Sequence, residues 1–71
     1  MAAVALAVAQ ARRSAGMTVE EVAAASGLTR RALTFIEGGH RLPTLPSLYA
    51  IAHAVGVPLG QLAEAGDPLS R

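Results

Sequence analysis

The sequence predicts an all-α chain of short helices packed about one small core, and three observations carry that expectation. Apolar residues recur at three- and four-residue intervals, as at Val19, Val22 and Ala23, the spacing that lines one face of a helix. Glycine or proline punctuates the runs, at Gly16, Gly27, Gly38, Pro43 and Gly56. The composition is 52% hydrophobic, but alanine supplies much of that share and only one Phe and one Tyr are present, which suits close helix packing through small residues. A chain of 71 residues has room for one core and no second site. With no cysteine, no disulfide or thiolate metal site is available, so packing alone must stabilise it.

A first helix is expected from about residue 3 to 15, with Val4, Val8, Ala11 and Ala15 on one face and Gly16 closing it. On that register Ala2, Leu6 and Ala9 point elsewhere and stay exposed. The start, MAAVALAVAQA, is apolar and contains A-x-A triplets, yet it lacks the positive opening of a signal peptide and is too short to span a membrane. A helix in a cytoplasmic protein is the expectation.

The stretch TVEEVAAASGLTRRALTFIEGG, from Thr18 to Gly39, reads as two short helices meeting at a sharp turn around Ser26 and Gly27. Gly27 adopts a left-handed conformation at little cost, and Thr29 is placed to cap the second helix. Ala23 is small enough for the closest approach of the two helices, and Leu33 and Ile36 carry the second one's core face. Thr44 caps a fourth helix whose first turn tolerates Pro46 and whose stripe is Leu45, Leu48, Ile51, Ala52 and Val55, ending at Gly56. A fifth helix is expected from about Leu59 to Ala65, presenting Leu59 and Leu62. One domain over residues 1–66 and a flexible tail over 67–71 complete the reading.

Two helices joined this way make a helix-turn-helix, and the rest of the chain extends the likeness. Val22, Ala23, Gly27, Leu28, Leu33 and Ile36 stand where that motif asks for apolar, Ala, Gly, apolar, apolar and apolar, and IEGGHRLPTLPSLYAIAHAVGV follows with the basic loop, Pro and apolar helix. From about Val4 to Leu62 the chain resembles the phage repressor and Cro type, xenobiotic-response-element-like, of helix-turn-helix DNA-binding domain. The resemblance implies a compact five-helix fold that binds double-stranded DNA with its third helix, about residues 29–37, in the major groove. It also implies a salt bridge between Arg12 and Glu37.

If Ala32, Leu33 and Ile36 face inward, then Arg30, Arg31, Thr34 and Phe35 face outward as candidates for reading bases. Arginine donates two parallel hydrogen bonds to guanine O6 and N7. Two cations in a helix's first turn oppose its dipole unless an anion meets them. Phe35 has two open roles: its ring touches a thymine methyl, or it folds back toward the loop at His40 to Leu42. Candidates for phosphate contacts are Arg13, Thr18, Thr29, His40 and Arg41. At Val19 many relatives of this type carry a phosphate-binding Gln, a bond Val19 cannot make, leaving the backbone N–H groups of that helix end.

The net charge is only +1, from six arginines, no lysine and five acids, so local field and not bulk charge would have to carry binding. Catalysis finds no support: His40 and His53 have no Cys and no evident carboxylate partner, and no glycine-rich phosphate loop opens a helix. No cofactor, metal or membrane is expected. The expected function is sequence-specific DNA binding by a small transcriptional regulator of the repressor type, as a weak homodimer on a near-palindromic site. Val57, Pro58 and Leu59 are the pairing surface that the resemblance implies. The alternative is a protein-interaction module on the same fold, antitoxin-like, using Leu6, Phe35 and Leu42 to bind a protein partner.

Overall fold

Among residues 2–63, which the computed structural model describes, five helices follow one another: α1 Ala2–Ser14, α2 Val19–Ser26, α3 Arg30–Glu37, α4 Leu45–Val55 and α5 Leu59–Ala63. The fold is all-α. The far end of the expected domain at residue 66, the last residues of the expected fifth helix and the tail over 67–71 lie outside the described residues.

Each boundary follows from local chemistry. Thr18, Thr29 and Thr44 all take extended backbone and cap α2, α3 and α4 with side-chain oxygens that accept from Glu21, Ala32 and Ser47 N–H groups. At Thr18 the cap is reciprocal, because the Glu21 carboxylate accepts the Thr18 N–H at 2.8 Å. The α2–α3 turn depends on Gly27 at φ 74°, where a side chain would be strained; the Leu28 N–H then reaches the Ala23 carbonyl at 3.0 Å and ends α2. Ser26 turns its hydroxyl back to donate to the Val22 carbonyl at 2.7 Å, which satisfies the half-buried hydroxyl itself.

The core takes one wholly buried side chain from each helix: Val8, Val22, Leu33, Ile51 and Leu62. With eight residues each, α2 and α3 are too short to persist alone, so their helicity comes from this shared packing. Helix α2 packs on α3 and α4, while α1 packs on α3, α4 and α5.

Three expectations about burial are corrected. Ala9, expected on the outside of α1, is buried at 5% exposure, as is Ala5. A helix that meets three neighbours buries a wider arc than one stripe, and alanine brings no bulk that would hold a neighbour away. Ala15 lies just beyond α1 and is exposed. Leu45, read as the start of the α4 stripe, is 64% exposed, because it occupies the first position of the helix and the core begins only at Leu48.

Candidate nucleic-acid interface

Helix α3 divides cleanly. Leu33 and Ile36 point into the core, Ala32 is half-buried, and Arg30, Arg31, Thr34 and Phe35 are all exposed. The far end of the helix is tied down by Arg12, whose Nε and Nη2 donate to the two oxygens of Glu37 at 2.7 and 3.0 Å. Arg12 Nη1 also donates to the Met17 carbonyl at 3.1 Å, so one guanidinium joins α1, the α1–α2 loop and α3. The hydrogen bond that Arg12 donates to Glu37, outweighing the opposing effect of burial, raises the Arg12 pKa above its ordinary value. This pair orients α3 against the core and leaves its outer face free.

None of the four outer residues is a freely solvated side chain. Arg30 forms an ion pair with Glu20 of α2, Nε to Oε2 2.9 Å, so the anion demanded by the helix dipole is supplied within the protein. The Arg31 guanidinium lies over the Phe35 ring, 5.2 Å from its centroid, and the far side of that aromatic cluster is His40, edge-on at 6.4 Å and 71°. Phe35 thus stands beside the loop at His40 while its ring stays 39% exposed on the outer face of α3. Gly38 lets His40 come in: a Cβ there would stand 3.0 Å from the His40 ring. Thr34 donates its hydroxyl to the Arg30 carbonyl at 2.8 Å, which leaves it an acceptor and a methyl group for any base edge.

The phosphate candidates separate by what they have left to give. Thr18 and Thr29 each commit one lone pair of the hydroxyl oxygen to capping and keep an O–H donor. The capping box uses the N–H groups of Thr18 and Glu21, so the backbone donors left at the start of α2 are those of Val19 and Glu20. Arg13 and Arg41 are exposed, and Arg13 borders a shallow groove of about 330 Å³ beside Glu37, Gly38 and Gly39. Val19 packs against the core, which accounts for an apolar residue where a phosphate-binding amide would otherwise stand. Two features escaped sequence reasoning. The capping box was legible as Thr18-x-x-Glu21; the Glu20–Arg30 pair had no sequence signal, because it depends on how α2 and α3 cross.

A helix-turn-helix family model matches residues 8–62, most of the chain. The chain belongs to the helix-turn-helix family. Its type is that of Cro and C1, whose members are DNA-binding transcriptional regulators. This helix-turn-helix chain is also 47% identical, over 49 residues, to an uncharacterized helix-turn-helix-type transcriptional regulator, y4dJ, of Sinorhizobium fredii. The match covers 69% of this chain and 64% of that regulator. No solved structure matches it. Among the described residues no helix is long and apolar enough to cross a membrane, and no cluster of His, Asp or Glu is placed to hold a metal ion.

At the other end of the domain, Val57 and Leu59 are half-buried against the core and Pro58 is exposed. Val57 lines a second groove, of about 530 Å³, with Ala7, Ala11, Val55 and Gln61.

Proposed function

We propose that this helix-turn-helix chain binds duplex DNA sequence-specifically as a small transcriptional regulator, with α3 in the major groove. The observation that carries the reading is the division of α3: a buried Leu33–Ile36 edge fixes its orientation, and the opposite face offers Arg30, Arg31, Thr34 and Phe35 to base edges. Arg13, Arg41 and the hydroxyls of Thr18 and Thr29 surround that face as donors to phosphates. His40, drawn onto Phe35, serves to place the aromatic ring. The domain works by binding and not by catalysis, in the cytoplasm, over residues 1–66. It acts as a homodimer, pairing around Val57, Pro58 and Leu59. The described residues measure 32 × 23 × 20 Å, a size that lets two copies lie side by side on half-sites about 34–36 Å apart.

Selection of bound sites from a random duplex library tests this. Arg30→Ala and Arg31→Ala each relax the preference at one or two base pairs, whereas Arg41→Ala weakens binding to all sequences alike. If both α3 variants select the parental motif, α3 is not the reading element.

A further inference from the structure

Helix α2 opens with two adjacent acids that do different work. Glu21 turns back to close the capping box, while Glu20 reaches across the turn to Arg30, Oε2 to Nε 2.9 Å. Both partners of this pair are well exposed, at 71% and 63%, so its contribution to stability in water is small. Its geometry matters more. Nε makes the shortest approach to the carboxylate, a charge contact without the alignment of a hydrogen bond, and among the described residues no nitrogen of the Arg30 guanidinium makes a hydrogen bond. The two terminal nitrogens form the edge that donates in parallel to guanine O6 and N7. An unpaired arginine must surrender its rotamer freedom on binding; one already drawn to one side by a neighbouring carboxylate has less to lose.

Resting on the DNA-binding reading, we infer that Glu20 is a specificity-determining positioning residue, which draws Arg30 to one side by its charge so that the terminal nitrogens meet a guanine. The same carboxylate approaches the phosphate backbone and repels it. Glu20 therefore lowers affinity for every duplex while sharpening the choice among them, and displacement of water in the groove strengthens its pull on Arg30. These two effects have opposite signs, so they can be read separately.

The experiment uses the full chain and its Glu20→Ala, Glu20→Gln, Arg30→Ala and Glu20→Ala/Arg30→Ala variants. Each is titrated with the selected duplex and with duplexes altered at the base pair whose preference Arg30→Ala relaxes. Glu20→Ala is expected to bind random duplex more tightly and to lose roughly threefold or more of its discrimination at that pair, within the range one bidentate contact provides. Glu20→Gln, which keeps the shape but not the charge, is expected to lose discrimination as Glu20→Ala does, and the double variant discriminates no worse than Arg30→Ala. Thermal melting confirms that all four are folded. Tighter binding by Glu20→Ala with unchanged discrimination makes Glu20 a simple repulsive charge and overturns the inference while leaving the DNA-binding reading intact. Failure of the parent chain to bind any duplex overturns both.

Discussion

Arg12 and Glu37 set the position of α3, and the consequences can be stated residue by residue. Their side chains are 15% and 11% exposed, so removing one leaves a charge largely out of water and without a partner. Fully buried pairs lose about 3–5 kcal/mol when broken; with the residual exposure here, Glu37→Ala should cost about 1–3 kcal/mol. For a domain of this size each kcal/mol lowers Tm by about 4–8 °C. Calorimetry checks it, and a variant melting with the parent would mean the pair is already solvated. The pH behaviour follows in sign: a raised Arg12 pKa contributes fully below the ordinary arginine value and is lost only as pH climbs through the raised one. Alkaline titration through the usual working range therefore leaves this contribution intact.

At the scale of the element, the start of α2 is where stability and the proposed DNA affinity meet. Thr18 caps the helix through its oxygen and keeps an O–H that the proposed function gives to a phosphate, so Thr18→Ala should lose both, the cap being worth about 1 kcal/mol. Thr18→Asp separates them. Aspartate retains the cap and suits the positive helix end, yet it sets a negative charge toward the duplex. Its melting temperature should stay near the parent's while duplex affinity falls; equal affinity for parent and Thr18→Asp would place Thr18 away from the backbone. The same element explains how α2 works without the usual polar residue at its start. Val19 packs against the core, and on the proposed function hydroxyl and backbone donors would supply what its side chain cannot.

For the molecule as a whole, few cations are free to meet phosphates. Arg12 is bound to Glu37 and Arg30 to Glu20, which leaves Arg13, Arg31 and Arg41 as the unpaired arginines among the described residues. The slope of log K against log salt, about −0.9 for each phosphate neutralised, should accordingly be shallow per subunit. Binding that ignores salt would instead indicate that protein, and not DNA, is the partner. Dimerisation should be weak in the free protein, because Val57 and Leu59 already spend part of their apolar surface on the core and interfaces well below about 1,200 Å² seldom hold alone. Sedimentation should show a monomer at micromolar concentration and two chains on a near-palindromic duplex. A single chain saturating an asymmetric site at full affinity would rule the two-fold assembly out.

Much of this protein could be read from the chain because the signals were local. Thr29 and Thr44 cap, Gly27 and Gly56 stop, and the periodic residues from Val4 to Leu62 form the core, since hydrogen bonding to near neighbours and helical spacing do not depend on what lies across the molecule. Thr18 belonged to the same class, its reciprocal partner Glu21 standing three residues away. Helix α1 marks the limit. Periodicity placed Leu6 on the outside, as it is, but in a helix apolar on nearly every side it could not tell that Ala9 is covered; that choice belongs to α3, α4 and α5, which pack over one arc of it. The interface was divided in the same way. Which residues of α3 face outward followed from Leu33 and Ile36, but whether their charges are spent was settled by the fold. Glu20 reaches Arg30 only because the turn at Gly27 brings α2 and α3 together, and the hold of His40 on Phe35 needs the loop to return over Gly38. Pairs across elements are set by distances that spacing along the chain does not contain.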